Sequence, residues 1–415
     1  MTAKKKTHCL IIFVCTALCI CLSLGSCSNN LLGSRQFGYK FDGKPSEIKG
    51  IWISFCDLDF AKGNEAEFIK KFDKMMQNAK SVGFNSVFVH VRSHGDAYYK
   101  SKLFVWSKYI TGTQGQDPGF DPLEIMISLA HNHNLQFHAW INPFRVSSTY
   151  DISALSDKNQ AIIWLKSRDK SVKNYVKRVS GGIYYNPSEK HIRDMIVDGV
   201  REIVENYAVD GVHMDDYFYP TTAKSFDMDE YAAYCAKHGD VSLTAFRRDN
   251  INEMVQNIYK TVKSENDKLI FGISPQANIY NNENLQYADV EKWCQNDGYV
   301  DYIAPQIYFG FEYDYDNGHG QNMRFDKCAD DWVRLVKNKN ISLVFGLGLY
   351  RSGEPIEGNV GVYEWVDNDD VIKRQIEFVR KCGKYDGVIV YAYSSMFAND
   401  TAEREVKNFK PLLNK

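Results

Sequence analysis

From Gly50 onward the chain alternates short apolar runs with longer stretches of helical period, and it does so eight times. The runs lie at 51–55, 86–92, 136–142, 211–215, 269–274, 302–308, 343–350 and 387–393. Between them, segments such as 65–82 and 189–207 repeat apolar residues three and four apart, the stripe of a helix lying on a sheet. Eight strand–helix units in series predict a parallel (β/α)8 barrel, an α/β TIM barrel with long βα loops, over residues 49–415. That span exceeds the roughly 250 residues of a typical barrel. The surplus falls into loops, the longest after strands two, three, four and six.

Side chains alternate sides along a strand. In the second run Val87, Val89 and Val91 share one parity, and Phe88, His90 and Arg92 share the other. The third splits Phe137, Ala139 and Ile141 from His138, Trp140 and Asn142, and the fourth splits Val212 and Met214 from His213 and Asp215. The sixth splits Ile303, Pro305 and Ile307 from Ala304, Gln306 and Tyr308. A parallel strand is usually apolar on both faces. Here the apolar set suits the outer helices, which leaves a polar set for the interior. That set grows more polar toward each C-terminal end, where barrel enzymes carry their active sites. Burying such groups costs several kcal/mol unless they are paired, so a site explains them better than stability does.

The sharpest segment runs from Asp210 to Pro220. Asp210 and Gly211 suit the turn into strand four, Asp215 sits at its end with inward parity, and Asp216 lies one step further, where the strand breaks. Paired carboxylates beside His213 fit acid/base or nucleophilic work. Glycoside hydrolysis needs two such groups, and the candidates are Asp215, Asp216 and Asp96, with Glu312 behind them. Arg92, Arg145 and Arg351 end or follow strands two, three and seven, where guanidinium groups can grip a carboxylate in a bidentate fork. Arg92, Trp140, Asn142, Arg145, His213, Tyr217, Gln306 and Tyr308 are the expected substrate-binding residues. Aromatics make up 14% of the chain, a surplus that suits stacking on sugar rings. The net charge of −2 offers no field for a polyanion, so nucleic acid is not an expected partner. No Gly-rich phosphate loop or serine elbow stands at a strand–helix junction, and neither cofactor nor metal is expected.

The N-terminus reads as an address. Lys4, Lys5 and Lys6 precede an almost wholly apolar stretch, 9–24, and Leu24-Gly25-Ser26-Cys27 follows. This is a signal peptide over 1–26 of the lipoprotein kind, with Cys27 as the lipidated first residue of the mature chain. Residues 27–48 are polar and read as a tether. A monomer held to a membrane of the cell envelope is expected. Five further cysteines are scattered without a CxxC spacing, and buried free thiols are expected of them.

Several segments together resemble the glycosyl hydrolase-like 10 family of bacterial lipoproteins. They are Gly50-Ile51-Trp52-Ile53, His90-Val91-Arg92 with Gly95-Asp96-Ala97, Trp140 to Arg145, Asp210 to Pro220, Arg247-Arg248-Asp249-Asn250, Gly272-Ile273-Ser274-Pro275, and Asp301 to Tyr308. The resemblance covers about residues 48 to 400. It implies a barrel glycosidase acting on peptidoglycan strands stripped of their stem peptides. On that reading an arginine near the cleft meets the lactyl carboxylate of N-acetylmuramic acid. The alternatives are a hydrolase of another dietary or capsular polysaccharide, and a non-catalytic surface lipoprotein that binds glycans.

Overall fold

The eight runs become eight parallel strands in a computed structural model that describes residues 39–59, 62–356 and 360–414. They are β1 (Ile48–Ile53), β2 (Ser86–Arg92), β3 (Gln136–Ile141) and β4 (Gly211–Met214). Then come β5 (Ile270–Ile273), β6 (Tyr302–Ile303, resumed as Gln306–Ile307), β7 (Ser342–Gly348) and β8 (Gly387–Tyr391). Each pairs with the next in parallel, and β8 pairs with β1, so the sheet closes on itself. The stretch read as a signal peptide, 1–26, and Cys27 lie outside the described residues.

Helices between the strands cover the outside. The first, α1 (Glu65–Val82), starts where the Asn64 side chain accepts the Glu67 N–H and stops at Gly83 in the left-handed region. It buries Phe68, Phe72, Met76 and Ala79, the stripe its spacing predicts. Next, α2 (Pro122–Asn132) is capped by Asp121 with Pro at its first position. α3 (Lys190–Asn206) and α4 (Leu243–Glu265) continue the ring. Among the described residues no helix is long and apolar enough to cross a membrane. Cys56, Cys235, Cys294, Cys328 and Cys382 are free thiols, two of them buried.

The parity argument holds in the interior. Trp52, Phe88, Trp140, Tyr302 and Ala304 form one buried cluster inside the barrel, with Ile48, Ile270, Val344 and Ile389. Large rings fit because the neighbouring strand offers glycine. A Cβ on Gly50 would meet the Phe88 ring at 2.5 Å, one on Gly211 the His138 ring at 2.5 Å, and one on Gly272 the Tyr302 ring at 2.1 Å. At the centre the Trp52 indole N–H donates to Nε2 of His213 at 3.0 Å, and Nδ1 of His213 lies 2.6 Å from the Tyr302 hydroxyl. An indole only donates, so Nε2 bears the lone pair and Nδ1–H donates to Tyr302. Burial holds this imidazole neutral, its pKa far below the ordinary value.

Two expectations need correction. The tether assigned to 27–48 does not reach Ile48. Tyr39 stacks on His131 at 3.8 Å and its hydroxyl donates to Asp210 at 2.5 Å, while Phe41 packs on the interior cluster. These residues close the N-terminal mouth of the barrel. Arg92 does not follow its parity, because the β2–β3 register shifts between His90 and Arg92. Such an irregularity re-aims the side chain that follows it.

The Tyr302 ring cannot yield, since His213 holds its hydroxyl. Gly272→Ala is therefore expected to lower stability by about 1–3 kcal/mol in chemical denaturation. Gly383→Ala, which meets nothing within 4 Å, should stay within about 0.5 kcal/mol of wild type.

Candidate active site

Asp215 follows the last residue of β4, continues its inward parity and is 3% exposed. Three donors reach its carboxylate. The Trp140 indole N–H donates at 3.2 Å, the Asn142 amide at 3.1 and 3.2 Å to the two oxygens, and the Tyr217 backbone N–H at 3.4 Å. Asn142 cannot turn round, because its carbonyl oxygen accepts the Arg145 N–H at 3.0 Å. Trp140 is held from behind by His90, stacked at 3.3 Å. The Phe55 N–H donates to Nδ1 of His90, which leaves the ring proton on Nε2, 3.8 Å from Asp215. Burial, then the charge of Arg145, keep His90 neutral. For Asp215, burial raises the pKa, against a lowering by Arg145 and the three donors.

Asp216 faces the other side. It is half-buried and accepts the amides of Gln306 at 3.2 Å and Gln286 at 3.4 Å. The Gln306 amide also donates to the Ser274 carbonyl at 2.8 Å, which fixes its direction. Burial first, and then the charge of Asp215, raise the Asp216 pKa from 3.8 to about 6. Both carboxyls are thus held above the ordinary aspartate range, Asp215 against three donors and a nearby arginine and Asp216 among amides.

The rim is aromatic. Tyr217 is 47% exposed and carries the Arg145 guanidinium over its ring at 4.8 Å. Arg145 is pinned by two hydrogen bonds to the Ser93 carbonyl. Across the barrel mouth Tyr308 stacks with Tyr391 at 5.7 Å and meets Tyr350 edge-on at 5.6 Å. The loop after Asp216 is clamped from α4. Arg247 forks onto Asp227, with both groups fully buried, and also bonds Tyr287 and the Ala223 carbonyl.

Trp140, Asn142, Gln306, Arg145, Tyr217 and Tyr308 therefore gather around Asp215 and Asp216, the first three as groups that position the carboxylates. Three expected residues do not join them. Arg92 is 1% exposed, donates to the Asn142 and Pro143 carbonyls and stacks on Phe104, so it braces the turn after β3 and offers no face to a sugar. His213 lies fully buried, with both nitrogens taken by Trp52 and Tyr302. Asp96 is 1% exposed and accepts the Gln114 amide within its own loop, so it is withdrawn as a catalytic acid. Glu312 is exposed on the loop after β6. Three site residues were given no role. Parity sorted His90 inward, Tyr391 was open to the same test at the end of β8, and Gln286 sits in a loop with no periodic signal. Among the described residues no group of three or more His, Cys, Asp or Glu stands close enough to hold a metal ion.

A closed parallel barrel with adjacent carboxylates at the end of its fourth strand, in an aromatic-rimmed mouth, belongs to the (β/α)8 glycoside hydrolases. Residues 47–367 match the Glycosyl hydrolase-like 10 family, and the chain is a member of that family. Glycosyl hydrolase YngK of Bacillus subtilis is 33% identical over 362 residues, covering 80% of this chain and 67% of the relative. Glycosyl hydrolase DigH of Escherichia coli K12 is 29% identical over 384 residues, covering 83% and 82%. The glycoside hydrolase domain of PgaB (BpsB) from Bordetella bronchiseptica shares the fold, with a TM-score of 0.55 at 12% identity over 88% of this chain and 99% of that one.

Proposed function

We propose that this glycoside hydrolase cleaves an N-acetylated glycan, peptidoglycan strands lacking stem peptides, while a lipid on Cys27 holds it to a membrane of the cell envelope. The observation that carries the catalytic part is the split environment of the β4 pair. Asp216, with a pKa of about 6, keeps a proton where an ordinary aspartate has lost it. It is the general acid, giving that proton to the leaving oxygen as the glycosidic C–O bond breaks. Asp215, fed by three donors, carries negative charge toward the sugar. It acts as nucleophile on the anomeric carbon or as the base that takes a proton from water. Arg145 and Tyr217 form one wall of the cleft, and Tyr308 the other. The choice of glycan is supported by the resemblance of the motifs, and the anchor by the Lys4–Lys6 cluster, the apolar stretch and Leu24-Gly25-Ser26-Cys27.

Asp215→Asn is expected to fold and to release fragments from purified peptide-free wall glycan about 10²–10⁴-fold more slowly, scored by mass spectrometry. Fragments appearing at the wild-type rate would refute the assignment.

A general acid must be protonated, so kcat/KM should fall with rising pH, tenfold per unit, above about pH 6. The same raised pKa means that the native state holds a proton the unfolded chain has lost between about 3.8 and 6. Stability from this group is present below that window and lost through it. Asp216→Asn should abolish the basic limb, and its stability relative to wild type should improve between pH 4 and pH 7. A variant whose pH–rate profile keeps that limb removes Asp216 from the role.

For the anchor, Cys27→Ala is expected to move the protein from the membrane fraction to the soluble fraction after cell lysis. Retention in the membrane pellet would exclude lipidation at Cys27.

A further inference from the structure

Beside Asp216, on the β5–β7 side, the barrel mouth opens into a cavity of about 280 Å³. Gln306 joins the two, since its amide bonds Asp216 while its side chain lines the cavity. The size is at the lower end of ligand pockets, which run from roughly 300 Å³, and suits one sugar ring rather than a chain. Its lining includes the rings of Tyr308 and Tyr350 and the amides of Gln276 and Asn281.

Arg351 is the one charged side chain in that lining. The acidic residues of the neighbouring loop, Glu312, Asp314 and Asp316, are exposed and do not line it. The guanidinium lies over the Tyr350 ring at 4.8 Å. Its Nε is buried without a hydrogen-bond partner, and among the described residues no carboxylate lies within 4.0 Å of it. The other two arginines proposed from sequence are engaged, Arg92 on two carbonyls and Arg145 on the Ser93 carbonyl. The Tyr350 hydroxyl meets part of this guanidinium, and the edge that carries the unpartnered Nε is the fork that matches a carboxylate. A neutral sugar would leave this donor set unmatched.

We propose that the cavity is a subsite for a carboxylate-bearing pyranose. Arg351 takes the carboxylate in a bidentate grip, Tyr308 and Tyr350 pack on the ring, and Gln276 and Asn281 meet its hydroxyl or acetamido groups. The inference rests on the glycan-cleaving reading of Asp215 and Asp216 and assigns one of its subsites. The carboxylate has two possible sources, the lactyl ether of a muramic residue or a uronic acid.

The first measurement is binding by calorimetry to the full enzyme, which needs no turnover. N-acetylmuramic acid is compared with N-acetylglucosamine, and glucuronic acid with glucose, on wild type, Arg351→Gln and Arg351→Lys. A charge-assisted fork is worth about 1.5–3 kcal/mol, which is about 10–150-fold in affinity. At least tenfold tighter binding of an acidic sugar than its neutral partner is expected in wild type. The gap should close in Arg351→Gln and be restored only in part by lysine. The acid that shows the gap names the source. Equal binding of acid and neutral sugar in wild type, or a gap that survives Arg351→Gln, overturns the proposal. The second measurement is kcat/KM on peptide-free wall glycan before and after chemical reduction of its carboxyl groups. If wild type cleaves both alike, this subsite assignment fails while the hydrolase reading stands. If wild type cleaves no wall glycan, the proposed substrate fails, and the sugar-binding comparison still decides Arg351.

Discussion

A carboxylate can be kept in a nearly dry place only where donors are already aimed at it. Asp215 has three, and much of the molecule near β3 and β4 exists to aim them. The Trp140 indole is placed by the β3–β4 register, which sets Trp140 opposite His213, and is pressed from behind by the His90 ring. Asn142 is oriented by the Arg145 N–H, and Arg145 is fixed in turn by the Ser93 carbonyl. Loss of one member turns a satisfied buried network into an unsatisfied one, which is why such networks specify a single geometry. On the proposed mechanism this rigidity serves catalysis, because charge held in advance lowers a barrier with no reorganisation at the moment of reaction.

The barrel was legible in the sequence because closure imposes two simple periods. Helices α1 and α3 lie within one residue of the stretches read from apolar spacing. Strand parity also sorted Phe88, His138, Trp140, His213 and Asp215 correctly, since a period of two leaves no third choice. It failed at Arg92, where the ladder with β3 shifts register, and a bulge has no signature in a single sequence. It was also silent on depth. His213 and Asp215 share one face of one strand, yet His213 lies in the packed middle with both nitrogens bonded, while Asp215 reaches the mouth. Polar identity marked both as functional; the rings of Trp52 and Tyr302, entering from β1 and β6, distinguish them.

Loops were legible as loops and opaque in content. Asp96 looked like a second catalytic acid because it follows a strand end, but its carboxylate accepts from Gln114, eighteen residues on in the same insertion. Gln286 carries no pattern and nevertheless bonds Asp216. The motif Arg247-Arg248-Asp249-Asn250 was visible, and its meaning came only with the fold. Arg247 neutralises Asp227 in a fully buried pair and ties the loop leaving β4 to α4. A buried pair of this kind is a weak source of net stability and a strong source of a unique arrangement. That suits a loop whose first residues are Asp215, Asp216 and Tyr217.

The mouth is lopsided, and the asymmetry follows from where the strand ends. Alternation turns Asp215 toward β3, into a side already filled by Trp140, Asn142 and His90. One residue later the strand has ended, and Asp216 turns toward β5 and β6, where the side chains are amides. An amide donates to an aspartate without neutralising it, and Asp216 meets Gln306 and Gln286. Burial first and the charge of Asp215 second raise its pKa, against the amide hydrogen bonds. The amide-lined side is also the side that stays open, through Gln306, toward the cavity before Arg351. On the proposed mechanism a proton donor must stand beside the bond it breaks, and this open side has room for one sugar ring. The open side of the mouth and the raised pKa of Asp216 are thus two results of one event, the end of β4 at Met214.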